Sequence, residues 1–190
     1  MQRIREILAV SNRARNWVIL SVLALTIAVT PPNSERYGDR LQIALPLLGL
    51  GCAVVTGGAG EYLLRFTAGL AVVHGSKNAL GEIPLNARPW GGYHGFPSGH
   101  SAAAAFGTSA LVNNCIANSP FVKAAVVITG GFVGASRIEA GAHNIWQVLA
   151  GIIVGFLFER ALRRNSPRRA RMTQFFHWIM QRFRRIKGPK

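Results

Sequence analysis

Across residues 41–60 the chain carries no charged side chain. A run of that length matches the ~20 residues an α-helix needs to cross the hydrocarbon core of a bilayer. Five weaker apolar runs accompany it, at 17–30, 62–76, 101–117, 121–136 and 144–158. Pro31-Pro32 stops the first, Arg65 sits near the start of the run at 62–76, and Asn118-Ser119-Pro120 parts the fourth from the fifth. Only 15% of the residues are charged while 49% are apolar. That charged share is well below the quarter or so of a soluble domain and excludes an ordinary cytosolic globule. The apolar share excludes a disordered basic tail. The expected fold is all-α: a six-transmembrane-helix bundle over residues 1–162, followed by a basic tail over 163–190.

The few charges are arranged with a bias. Lys and Arg number 22 against 7 acids, for a net charge of +15. Arg3, Arg5, Arg13 and Arg15 precede the first run, and half of all basic residues lie at or after Arg160. An even number of spans puts both basic termini on one side, which the positive-inside rule makes cytoplasmic. Arginines before an apolar run also suggest a signal peptide, but no small-x-small cleavage site precedes Pro31, so an uncleaved first span is expected. In the tail, Phe175, Phe176, Ile179, Phe183 and Ile186 share a helical face among Arg182, Arg184, Arg185 and Lys187. That pattern predicts an interfacial amphipathic helix whose partner is anionic phospholipid. Nothing base-reading accompanies the charge, so nucleic acid is not an expected partner, nor is an obligate protein partner. Gly130-x-x-x-Gly134 and Gly151-x-x-x-Gly155 have the spacing that lets membrane helices approach closely. Cys52 and Cys115 both fall in apolar stretches and are expected as buried, unreactive thiols rather than a disulfide.

Two polar segments interrupt this scheme. Residues 77–100 read KNALGEIPLNARPWGGYHGFPSGH, and residues 136–147 read SRIEAGAHNIWQ. A parity argument joins them. Lys77 follows the third run, His100 opens the fourth, Arg137 closes the fifth and His143 opens the sixth. With alternating spans, all four emerge at one face, opposite the basic termini. Lys or Arg near the centre of a membrane helix costs ~2.5–3.5 kcal/mol, and less near its ends. Cations gathered at one face also repel each other unless an anion lies between them.

Phosphate fits that need. Arg88 and Arg137 can grip its oxygens in bidentate fashion, with Lys77 as a point charge. Pro97-Ser98-Gly99-His100 ahead of an Ala-rich stretch reads as a helix N-terminus with Ser98 at the cap. Its backbone N–H groups form an anion site, and Gly99 allows close approach. The two histidines supply chemistry: one imidazole can attack phosphorus while the other protonates the leaving oxygen. His94 reads as a substrate contact or a plain loop residue. A metal site there lacks nearby Asp, Glu or Cys, and the cations would repel the ion.

The order K…RP, PSGH and SR-x5-H resembles the type 2 phosphatidic acid phosphatase (PAP2) superfamily, over about residues 77–147. The resemblance implies cofactor-free, metal-independent removal of phosphate through a phosphohistidine. His143 is then the nucleophile, His100 the general acid, and Lys77, Arg88, Ser98, Gly99 and Arg137 the phosphate-holding set. It further implies a bacterial inner-membrane enzyme with its active-site loop facing the periplasm and a lipid phosphate as substrate. RPWGGYHGFPSGH looks most like lipid A 1-phosphatases. Undecaprenyl diphosphate phosphatase, phosphatidylglycerophosphate phosphatase and lipid phosphotransferase are the rivals, and a non-catalytic anionic-lipid-binding membrane protein is the rival of a different class. Two departures stand out. Ten residues, not six, separate Lys77 from Arg88, and Gln147 stands where the family places Asp, four residues after the nucleophile. Gln147 still shares a helix face with His143, and Glu139, four residues before it, is the second candidate to orient the imidazole.

Overall fold

The structure, a computed structural model, describes residues 2–160 and Arg163. Among these it holds six α-helices and no strand: α1 Gln2–Ala28, α2 Ser34–Val55, α3 Ala59–Ala79, α4 Gly99–Ala110, α5 Pro120–Glu139 and α6 Ile145–Arg160. A 3₁₀ turn, Pro84–Asn86, lies in the long connection between α3 and α4, and a π-helical turn, Leu111–Cys115, prolongs α4. The interfacial helix expected over 163–190 lies outside the described residues.

Three helix starts follow from local chemistry. Asn33 caps α2, its side chain accepting from Arg36 N at 3.0 Å. Ser98 caps α4, and Ser119 caps α5 ahead of Pro120 in the first turn, where its missing N–H costs nothing. Two helices exceed the apolar runs that announced them. α1 begins at Gln2, not residue 17, because its arginine-bearing first half continues the same helix. α2 begins at Ser34, not residue 41, because the Asn33 cap sets its start ahead of the apolar stretch. Glu35 and Asp39 therefore belong to a helix and not to a loop.

α4 is the axis of the bundle and packs against α2, α3, α5 and α6. Large apolar side chains stand exposed on the other helices, such as Leu25, Leu47, Leu64, Ile128 and Ile153, but α4 has none. α6 lies close against α4. A Cβ on Gly151 or Gly155 would collide with the α4 backbone at Ser98 and Ala102, so the small-residue spacing does serve packing. α2 and α5 are long and apolar enough to cross a membrane, with a third of each apolar window buried in the bundle. The other four helices do not meet that measure. α4, at 12 residues, rises only about 18 Å.

Cys52 of α2 and Cys115 of the π-helical turn form a disulfide, with Cα atoms 5.9 Å apart. This corrects the expectation of two separate thiols. Both are buried, but they are 63 positions apart, and only the packing of α2 against the end of α4 makes them neighbours.

At the same end of the bundle, Glu159 of α6 is fully buried. Its carboxylate accepts from Ser109 Oγ at 2.6 Å and Arg163 Nε at 3.0 Å, and lies 3.6 Å from Nη1 of buried Arg65. Removing one partner of a buried pair leaves the other charge uncompensated, at a cost of about 3–5 kcal/mol. Glu159→Ala should therefore lower stability by about that amount in thermal unfolding of the detergent-solubilised protein. A loss under about 1 kcal/mol, the scale of an exposed pair, would show that Arg65 finds its compensation elsewhere.

Candidate functional site

At the opposite end of the bundle a cavity of about 500 Å³ opens between α2, α3 and α4. Lys77, Arg88, Gly99, His100, Arg137 and His143 all line it. Residues from α3, the connection, α4, α5 and the α5–α6 turn thus reach one end of the bundle. Below the cations the cavity wall turns apolar, with Ile43, Pro46 and Leu47 of α2, Phe66 and Leu70 of α3, and Ala103 of α4.

Each polar group has a distinct setting. Arg137 ends α5, is 3% exposed, and donates from Nη2 to Glu35 O at 2.6 Å and from Nη1 to Asp39 Oδ1 at 2.9 Å. Gly38 makes this possible, since any Cβ there would strike the Ser136 side chain and keep α2 away. His100, on the first turn of α4, has Nε2 3.0 Å from the same Asp39 Oδ1. Arg88 donates from Nη2 to His94 O at 3.2 Å and lies 5.5 Å from the centroid of the Trp90 ring. Its Nε is buried without a hydrogen-bond acceptor. Lys77 Nζ lies 4.0 Å from where a Cβ on Gly99 would stand, so the ten-residue spacing still delivers the lysine to the start of α4. Ser98 is fully buried and its hydroxyl accepts from Ser101 Oγ at 3.0 Å. The hydroxyl serves its own helix, and what α4 offers the cavity is the unpaired N–H groups of its first turn.

The connection from α3 to α4 is held by two buried amides. Asn86 donates from Nδ2 to the carbonyls of Lys77 and Gly81 at 2.9 and 2.7 Å, and its Oδ1 accepts from Phe96 N at 3.0 Å. Gln147, fully buried on the first turn of α6, donates from Nε2 to Leu85 O and Ala87 O at 3.1 and 2.7 Å. Its Oε1 accepts from Asn144 N at 3.2 Å and faces His143 Nδ1 at 3.1 Å. The two donations fix which end of the amide is oxygen. That oxygen then requires a proton on Nδ1 of His143, which leaves the Nε2 lone pair available. Burial pushes the His143 pKa down to about 4; the Gln147 hydrogen bond opposes this, and Lys77, Arg88 and His100 push the same way as burial. The imidazole is neutral through the physiological range.

Glu139 is exposed on the last turn of α5, and the group at Nδ1 of His143 is Gln147. His94 is exposed in the connection, with φ 65° and Nδ1 3.1 Å from Lys77 O. Among the described residues no group of three or more His, Cys, Asp or Glu is placed to hold a metal ion. Sequence reasoning missed Asp39, Glu35 and Asn86. The Asn33 cap signal could have placed the first two on a helix, but nothing local could have aimed them at Arg137.

A protein-family model described as the PAP2 superfamily matches residues 59–171, more than half of the chain. No curated protein and no solved structure matches it.

The Gln147 contacts carry their own test. In Gln147→Glu the isosteric carboxylate would set an oxygen against the Leu85 and Ala87 carbonyls and lose both donated bonds, at roughly 1–3 kcal/mol for each group left unsatisfied. At neutral pH the variant should unfold at lower temperature and lose amide hydrogen-exchange protection across residues 85–98. Unchanged protection there would mean that the connection is held without this amide.

Proposed function

Because the chain belongs to the PAP2 superfamily, whose members are phosphatases acting on phosphate esters, we propose that it removes phosphate from a membrane lipid through a phosphohistidine on His143. The observation that carries this reading is the cavity itself, in which the imidazoles of His100 and His143 and three cations stand at the head of an apolar wall, with His74 of α3 also lining it. A phosphorylated headgroup suits the first part and an acyl chain the second, whereas a soluble phosphate ester has no use for the wall. Exposed Trp90 at the cavity, with exposed Tyr93 in the same connection and exposed Trp146 on the first turn of α6, suits a headgroup-level aromatic belt. We place the six helices as six spans of a bacterial inner membrane, with both termini cytoplasmic and the cavity periplasmic. Two helices long and apolar enough to cross a membrane are in line with that placement. We assign the basic tail to anionic phospholipid on the cytoplasmic side.

In this reading the phosphate lies against Lys77, Arg88, Arg137 and the N–H groups of α4 from Gly99 onward, and Arg88 Nε gains the acceptor it lacks. Nε2 of His143 attacks phosphorus as the bond to the lipid oxygen breaks. His100 gives its Nε2 proton to that oxygen, and the neutral lipid alcohol leaves. A water then attacks the phosphohistidine, passes a proton to His100, and phosphate departs with both imidazoles restored. The cations stabilise the charge on the transferring phosphoryl oxygens. Gln147 holds the reactive tautomer of His143, and Glu139→Gln should leave the rate unchanged. The RPWGGYHGFPSGH segment favours lipid A 1-phosphate as the substrate.

Purified protein in detergent with EDTA should release phosphate from lipid A in preference to undecaprenyl diphosphate and phosphatidylglycerophosphate, and His143→Ala should abolish release. Binding of lipid with no turnover in either protein would favour a non-catalytic lipid-binding role. Transfer of phosphate to a second lipid without free phosphate would favour a phosphotransferase. Histidine-selective ¹⁵N NMR, with His143→Ala as assignment control, should find this imidazole neutral down to about pH 4. A midpoint near the ordinary value of about 6.5 would contradict the burial that poises it.

A further inference from the structure

Two of the groups that the phosphatase reading brings to the substrate are already engaged. Arg137 Nη1 and His100 Nε2 both point at a single oxygen, Oδ1 of Asp39, from 2.9 and 3.0 Å. That reading gives His100 a proton to deliver and Arg137 an oxygen to grip. His100 cannot deliver that proton while donating it to Asp39. Arg137, whose Nε, Nη1 and Nη2 already donate to Ser136 Oγ, Asp39 Oδ1 and Glu35 O, keeps only the second hydrogen of each Nη for a phosphoryl oxygen. The carboxylate is anionic, as a phosphoryl oxygen is, and it sits where the two donors converge. It comes from α2, outside the residues 59–171 that the family model matches.

We propose that Asp39 is a tethered monoanion that fills the phosphate cradle until a dianionic phosphate displaces it, and that it thereby rejects the monoanionic phosphodiester headgroups of the surrounding membrane. The inference rests on the phosphate-binding reading of this site. Its energetics follow from what each anion leaves behind. Arg137 is 4% exposed in its side chain, so it needs an anion at all times, while Asp39 is 46% exposed and has water to move into. A dianion brings a second charge for Lys77 and Arg88 to meet, and so gains where the carboxylate had nothing to give. A phosphodiester brings one charge, as Asp39 does, and must also meet the entropic cost of binding from solution against a group already attached. Glu35 strengthens the gate without forming it: its carboxylate is 3.8 Å from Arg137 Nη1, beyond hydrogen-bonding reach.

A ligand whose competent state is a minor one binds more weakly by that fraction, so a gate shut nine-tenths of the time costs about tenfold in affinity. Asp39→Asn keeps the shape and removes the charge. Calorimetric titration in detergent at about pH 8, where inorganic phosphate is mainly the dianion, would use two probes: inorganic phosphate and dimethyl phosphate. The wild-type protein should bind the first and not measurably the second. Asp39→Asn should bind phosphate about tenfold more tightly and bind dimethyl phosphate as well, and Asp39→Ser should repeat both gains. Thermal unfolding reads the same exchange independently. The unliganded variants should melt below wild type, because Arg137 has lost an anion, and phosphate should raise their midpoint by more than it raises that of wild type. Equal or weaker phosphate binding in both variants overturns the proposal, as does dimethyl phosphate binding to wild type. Neither titration needs turnover, so tighter binding in a protein that hydrolyses nothing would keep the gate and remove the phosphatase. Hydrolysis with binding unchanged in both variants would do the reverse.

Discussion

The buried amide of Gln147 is where the two halves of the site meet. Its oxygen sets the tautomer of His143, its nitrogen holds the Leu85 and Ala87 carbonyls beside Arg88, and its backbone carbonyl accepts from Ser98 N at 2.9 Å. The α3–α4 connection, the start of α4 and the start of α6 are therefore joined through one residue, its side chain holding the connection and its backbone carbonyl holding Ser98 N. Buried polar groups need their partners, and the shared bonds of fully buried Gln147 make the arrangement a single unit. It also explains in physical terms why a carboxylate would serve this chain poorly, although the family's usual pattern has Asp at this place. An acceptor-only side chain could face His143 but not hold the connection.

Charge is organised at both ends of the bundle by one rule with two outcomes. Each end buries an arginine, Arg65 or Arg137, and each is met by an acid from another helix. Glu159, at the end with the disulfide, is fully buried and also held by Ser109. That pair has nowhere to go, and its role is to join α3, α4 and α6. Asp39, at the cavity, is half exposed, so its place beside Arg137 can be taken by another anion at little solvation cost. Burial of the acid separates a permanent tie from an exchangeable one.

Much of this architecture is written in the chain as a pattern of omissions. Apolar stretches with little or no charge announce six helices, the Ser98 and Ser119 caps mark the starts of two, and the glycines at 151 and 155 mark where α6 meets α4. Polar residues that no membrane helix would carry for packing single out Lys77, Arg88, His100, Arg137 and His143, and parity of the runs is enough to bring four of them to one end. Helix ends were less legible, since α1 and α2 continue through charged residues that a search for apolar runs excludes.

Helical periodicity, capping and the scarcity of charge in apolar runs are local properties, so the sequence by itself determined the helices and singled out the residues that line the cavity. The tertiary structure alone decided the Cys52–Cys115 bond, the clasp of Asn86 and Gln147 on the connection, and the meeting of Asp39 with Arg137 across 98 positions. Such contacts depend on how one helix crosses another. A change of a few ångströms at Gly38, invisible in any local pattern, separates a carboxylate in the site from one in solvent.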